Sequence, residues 1–182
     1  AFQMRAALEQ REFEKVIGWN LHPEMLSRLD ETAREAGLPF EAVDLDRLGA
    51  EADVIISITS SFDPIIMSAQ VSAGTHLACM GTDTAGKQEV DANLVASATV
   101  FTDEVAQSVS IGEAQHAFSQ GLISEQNIVP IGAVINGDHK GRTSADEITL
   151  FDGTGVGLQD LAVASAAADL ALKQGKASVI DL

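Results

Sequence analysis

Residues Asp53-Val54-Ile55-Ile56-Ser57-Ile58 place four β-branched apolar residues within six positions, with no regular alternation of polar and apolar sides. A run of this kind fits a strand covered on both faces, the situation of a parallel sheet packed between helices. Parallel neighbours need crossover connections, so the flanking sequence must alternate strands with helices. It does. Phe13–Asn20 reads as a short strand around Val16-Ile17-Gly18-Trp19, and Phe40-Glu41-Ala42-Val43 as a brief one. Thr75–Met80, Thr99–Thr102 and Glu147–Phe151 supply three more. Met4, Ala7, Leu8 and Arg11 lie on helical spacing ahead of the first strand. Pro23 suits a first helical position, Met25, Leu26, Leu29, Ala33 and Ala36 share one face, and Gly37 suits the stop.

The order predicts an α/β fold, a doubly wound Rossmann-like parallel sheet with right-handed crossovers. A short helix is expected at about Asp91–Ser97, and Glu104–Gly121 reads as helical throughout. Ile128–Ile135 is apolar and open to either assignment. Leu158–Gln174 reads as a long helix whose small apolar face, carrying Leu161, Ala164, Ala168 and Ala171, is expected to pack. The first helix starts at once after Ala1 with no cap in front, so the sheet is expected to be incomplete at its N-terminus. Residues 1–152 are read as a dinucleotide-binding domain and 153–182 as a C-terminal helical segment returning to a domain outside this sequence.

Charge narrows the partners. Lys and Arg number 11 against 27 Asp and Glu, a formal net charge of −16, which repels phosphate backbones and argues against nucleic acid. No apolar run reaches the ~18–20 residues of a membrane span. Cys79 is the sole cysteine, which excludes an internal disulfide framework and fits a reducing cytoplasm.

Open α/β sheets bind ligands at the C-terminal ends of their strands, so three loops carry the candidate chemistry. Ser57-Ile58-Thr59-Ser60-Ser61 either donates hydroxyl hydrogen bonds to a ligand or closes the strand as a turn. Gly81-Thr82-Asp83-Thr84-Ala85-Gly86-Lys87 holds Asp83, either a general acid/base or a solvated carboxylate beside Lys87. Asp152-Gly153-Thr154-Gly155-Val156-Gly157 precedes the last helix and can form an anion- or amide-binding turn. A metal site is not expected: His76 and Cys79, three apart on a strand, face opposite sides, and His22, His116 and His139 lack partners at ligand spacing. An apolar strand also disfavours Cys79 as a nucleophile, and no Gly-x-Ser-x-Gly elbow is present.

The run from Gly74-Thr75-His76 through Gly81-Thr82-Asp83 to Gly86-Lys87-Gln88-Glu89-Val90-Asp91 resembles the signature of the ornithine cyclodeaminase/μ-crystallin family. Phe101-Thr102-Asp103, Gly112-Glu113, Gly141-Arg142 and Glu147–Leu161 match further motifs in the same order. The resemblance covers essentially the whole chain. It implies a homodimeric enzyme using NAD(H) or NADP(H) on small imino or amino acids, with the glycine-rich phosphate loop and the dimerising, substrate-binding domain lying before Ala1. It implies Asp83 as the catalytic aspartate, beside the nicotinamide and the substrate nitrogen.

Ile58, Thr59 and Ser60 match the loop lining the nicotinamide, and Met80-Gly81 brings backbone against that ring. Trp19 and Asn20 match the adenosine-ribose end, where Asn20 replaces the acidic residue of NAD-specific relatives and leaves NAD against NADP open. Gly153 and Thr154 match the turn beside the cofactor amide or substrate, which more often contains Ser. Within the family, Phe2–Ala6, Gly18–Asn20 and Asp103–Ser108 most resemble the iminosuccinate reductase branch, implying reduction of iminosuccinate to L-aspartate. Ammonia-releasing cyclodeamination, alanine dehydrogenation, ketimine reduction and non-catalytic binding remain as alternatives.

Overall fold

A computed structural model describes residues 2–178 and 180; Ala1, with the chain start it marks, lies outside the described residues. The described strands are β1 (Val16–Gly18), β2 (Phe40–Ala42), β3 (Val54–Ser57), β4 (His76–Cys79), β5 (Thr99–Thr102), β6 (Ile128–Pro130) and β7 (Thr149–Asp152). Every pairing is parallel: β1 pairs with β2, and a five-stranded sheet runs in the order β3-β4-β7-β5-β6. The expected parallel α/β architecture is therefore the one observed.

The β-branched run forms β3, and the neighbouring strands bury Ile55, Leu77, Cys79, Val100 and Leu150 in one core. Leu77, Leu94 and Leu150 are fully buried, a contribution of about 1.5–3 kcal/mol each. Residues Ser57, Cys79, Asp152 and Thr102 stand side by side in register, so four strands end flush and send their loops from a single edge. The last strand in sequence sits between β4 and β5, which carries the 153–157 loop next to the loop after β4.

Helices α1 (Phe2–Gln10), α2 (Ser27–Glu35) and α4 (Ala92–Ser97) follow the expected pattern, and a further helix not marked by the sequence pattern, α3 (Leu45–Glu51), forms between β2 and β3. Asp44 and Asp91 cap α3 and α4, their carboxyls accepting from Arg47 N at 2.8 Å and Leu94 N at 2.7 Å. Gly37 stops α2 in the left-handed region at φ 73°.

One expectation needs correction, that for residues 104–121. The segment 104–121 is not one helix but α5 (Val105–Ser108), a turn, and α6 (Gln115–Ser119). The break lets Glu113 turn inwards, its backbone N–H donating to Asp152 at 2.9 Å. The ambiguous segment divides into β6 and a short helix, α7 (Ile131–Ile135). Helix α8 (Gly157–Lys173) forms as expected, and on its small apolar face Leu161 is 65% exposed, Ala164 and Ala168 are exposed, and Ala171 is half-buried. Periodicity sets a helix's stripe, whereas burial depends on what the tertiary structure lays against it.

Candidate functional site

The loops that follow β3, β4 and β7 meet at the flush edge of the sheet. Met80 N–H donates to Ser57 O at 2.8 Å and Gly153 N–H to Cys79 O at 2.9 Å, carrying the sheet ladder one residue past the strands. The loops touch so closely that Gly81 excludes a side chain, whereas at Gly153 an added Cβ would first meet the movable end of the Met80 side chain. A Cβ on Gly81 would overlap the Thr59 carbonyl and lie 2.5 Å from Thr59 N, and one on Gly153 would lie 2.7 Å from Met80 Sδ. Thr59, Met80, Gly81, Gly153 and Thr154 are therefore brought together as one patch. Ile58 stands at its rim, 64% exposed, and Ser60 is also exposed.

Asp83 projects from the same patch. Its Oδ1 accepts from Lys87 Nζ at 2.6 Å and from Thr84 Oγ1 at 3.1 Å, while Oδ2 accepts nothing from the described residues. Lys87 is largely buried along its stem, and its ammonium also reaches Gly81 O at 3.4 Å. Hydrogen bonding from Lys87, then from Thr84, holds the Asp83 carboxyl below its ordinary range. Asp83 is thus solvated and paired with Lys87, with one carboxylate oxygen open beside the strand ends.

Trp19 and Asn20 lie at the C-terminal end of β1, in the other sheet, and no hydrogen bond among the described residues ties them to the patch. Asn20 is exposed, and its Oδ1 accepts from His22 N at 2.8 Å in a local turn. Its amide Nδ2 is left to face outwards as a donor.

Sequence reasoning quoted four acidic residues as motif letters without giving them work, and the structure places all four beneath these loops. Glu89 is fully buried; Oε1 accepts from Ser57 Oγ and Thr59 N, both at 2.6 Å, and Oε2 from Gly81 N at 2.9 Å. Glu113, also fully buried, takes the backbone N–H groups of Glu89 and Val90 on Oε1, each at 2.8 Å, and Thr82 Oγ1 on Oε2. Asp152 Oδ2 takes Ser108 Oγ at 2.6 Å and Glu113 N at 2.9 Å, leaving Oδ1 without a partner. Asp103 holds the third loop, accepting from Thr154 N at 3.0 Å, Thr154 Oγ1 at 2.6 Å and Gly155 N at 2.9 Å.

Burial raises Glu113 to about 7 and Asp152 to about 6, against the opposing pull of their donors. Burial also acts to raise Asp103, but the donors of Thr154 and Gly155 overcome it and hold that carboxyl low. The available signal was acidic letters set in apolar or glycine-flanked context, as in Glu89-Val90, Gly112-Glu113-Ala114 and Phe151-Asp152-Gly153.

Cys79, Glu89 and Glu113 come within 4.8 Å of one another, close enough for three metal ligands. All four carboxyl oxygens already accept donors from the protein, and burial pushes the Cys79 thiol well above its ordinary pKa. The two glutamates are engaged as hydrogen-bond acceptors for the surrounding backbone and hydroxyls. On the outer edge, an exposed apolar Ile58 and an Asp83 carboxylate oxygen that accepts nothing from the described residues remain open.

A family model described as the Ornithine cyclodeaminase/mu-crystallin family matches residues 1–175. The iminosuccinate reductase of Paracoccus denitrificans (strain Pd 1222) is 65% identical over 182 residues, 100% of this chain and 57% of that protein. Its crystal structure in complex with NAD+ superposes with a TM-score of 0.96, the match covering 100% of this chain and 56% of the other. An archaeal alanine dehydrogenase dimer with bound NAD gives a TM-score of 0.94 at 30% identity, covering 100% of this chain and 57% of its own. The chain thus spans a little over half the length of the relatives it matches.

Proposed function

The chain belongs to the ornithine cyclodeaminase/mu-crystallin family, and from that membership we propose that it is the dinucleotide-binding part of an NAD(P)H-dependent imino-acid reductase converting iminosuccinate to L-aspartate. The observation that carries the reading is Asp83, with Oδ1 fixed by Lys87 and Oδ2 open at the ligand edge. The 65% identity to an iminosuccinate reductase along the entire chain supports the choice of substrate. Residues 1–152 act as the cofactor-binding domain and 153–182 as a helical arm. The archaeal relative's dimer supports a homodimer, and a single reduced thiol supports the cytoplasm. No helix among the described residues is long and apolar enough to cross a membrane.

A bound reduced nicotinamide supplies the hydride that the imino carbon accepts. Ile58, Met80, the backbone of Thr59 and Gly81, and Gly153-Thr154 would hold the nicotinamide end of such a cofactor. Asn20 and Trp19 meet the adenosine ribose. Asp83 Oδ2 accepts the N–H of the protonated imine, holding that proton on nitrogen while carbon takes the hydride; the C=N π pair becomes the amine lone pair. Lys87 keeps the carboxylate ionised for this task, because the ion pair lowers its pKa. The experiment is NADH consumption by the full-length protein on a panel of oxaloacetate, pyruvate and glyoxylate, each with ammonia, and a cyclic imine. Oxaloacetate with ammonia is expected to be preferred, with L-aspartate as product. Preference for pyruvate or the cyclic imine refutes the substrate, and ammonia release without net NADH consumption refutes the reductase.

A further inference from the structure

The buried carboxyls are nested, each holding the backbone of the next. Asp152, the last residue of β7, takes the N–H of Glu113; Glu113 takes the N–H of Glu89; Glu89 takes the N–H groups of Thr59 and Gly81. These residues come from β7, the turn between α5 and α6, and the segment before α4, so no local element imposes their spacing. The series ends on the two loops that touch at Gly81. We propose that Glu89, set by Glu113 and Asp152 behind it, is a positioning residue that fixes the height of the Thr59 and Gly81 backbones, and through Gly81-Thr82 the reach of Asp83. This rests on the ligand edge being the reductase site, but the hydrogen bonds can be tested whether or not that reading holds.

Two isosteric substitutions separate positioning from general support, because the donors around the two glutamates differ. At Glu89 both oxygens face backbone N–H groups, which cannot reverse. Glu89→Gln must turn its own –NH2 against either Gly81 N–H or the Thr59 side, leaving donor against donor in a buried place. At Glu113 the two backbone donors share Oε1, and Oε2 meets a hydroxyl. Glu113→Gln can keep its oxygen on the backbone pair and give its –NH2 to Thr82 Oγ1, since a hydroxyl rotates and accepts as readily as it donates.

Amide hydrogen exchange on the full-length protein reads the geometry without any turnover. Glu89→Gln is expected to speed exchange at Thr59 and Gly81 by tenfold or more while Glu89 and Val90 amides keep their protection; Glu113→Gln is expected to preserve all four. On the enzyme, Glu89→Gln is expected to lose at least tenfold more kcat than Glu113→Gln, with KM and cofactor Kd each within threefold of wild type. The isotope effect with deuterated NADH should rise, as misaligned hydride transfer becomes the slow step; a smaller folded fraction would leave it unchanged. Should Glu89→Gln fail to fold, Ser57→Ala, which removes one donor to Oε1, is expected to move the Thr59 amide in the same direction. Unaltered exchange at Thr59 and Gly81, or equal kcat losses in both variants with an unchanged isotope effect, overturns the proposal. Turnover absent from the wild-type protein, with the exchange pattern as expected, refutes the reductase reading and leaves the positioning geometry standing.

Discussion

Replacing Gly81 by alanine probes the closest approach in the molecule. Gly81 is not among the glycines with positive φ, so its backbone tolerates alanine and only space opposes the change. The added methyl would overlap Thr59 O, stand 2.5 Å from Thr59 N and 2.7 Å from Glu89 Oε1. Ordinary contact is about 3.5 Å, so the two loops must part by roughly 1 Å. Overpacking of this kind costs about 1–3 kcal/mol, and stretching the Thr59 and Gly81 hydrogen bonds to Glu89 costs about 0.5–1.5 kcal/mol each, giving roughly 2–6 kcal/mol. At 182 residues, about 2–4 °C per kcal/mol converts this to a Tm fall of roughly 4–24 °C. The assay is thermal unfolding by circular dichroism, with Gly132→Ala as control. That glycine lies in α7, where a Cβ meets nothing within 4 Å, so alanine there is expected to be neutral or to stabilise by up to about 1 kcal/mol. A Gly81→Ala protein melting within about 2 °C of wild type would refute the reasoning, because the loops could not then be in contact.

Asp83→Asn in the full-length enzyme is expected to lower kcat by about 10²–10⁴-fold with little change in cofactor Kd, since the amide keeps the shape but not the charge facing the substrate nitrogen; stopped-flow NADH oxidation checks it, and near-normal turnover removes Asp83 from the chemistry. Asn20→Asp is expected to shift preference towards NADH, because a carboxylate accepts two ribose hydroxyls and repels a 2′-phosphate; an unchanged NADH/NADPH ratio of kcat/KM would place Asn20 away from the ribose. Stability is expected to be greater near about pH 5 than near about pH 8. Glu113 at about 7 and Asp152 at about 6 sit above their unfolded values, so their contribution is present in acid and is lost as pH rises through those folded values. Melting curves at both pH values should show the difference, and Glu113→Gln, which cannot ionise, should narrow it.

Much of the fold was legible because it is local. The β-branched run at Val54–Ile56 favours extended backbone through its own side-chain sterics, although β3 ends the sheet with Ile55 buried and Val54 and Ile56 only half-buried, and Asp44 and Asp91 cap the turns that follow them through side chains only three residues from their donors. The loops after Ser57, Met80 and Asp152 could be singled out because parallel strands must all end on one side. What these residues do to one another was not legible. That β7 enters between β4 and β5, that the chain breaks at Gly112-Glu113, and that α8 runs exposed all depend on contacts remote in sequence. The buried carboxyls show the reason most directly: Glu89, Glu113 and Asp152 are unremarkable acidic letters until the sheet register puts a particular backbone N–H in front of each oxygen. A residue's own dihedral and solvation preferences are written in its neighbours along the chain, but the partner of a buried charge is chosen only when distant strands come into register.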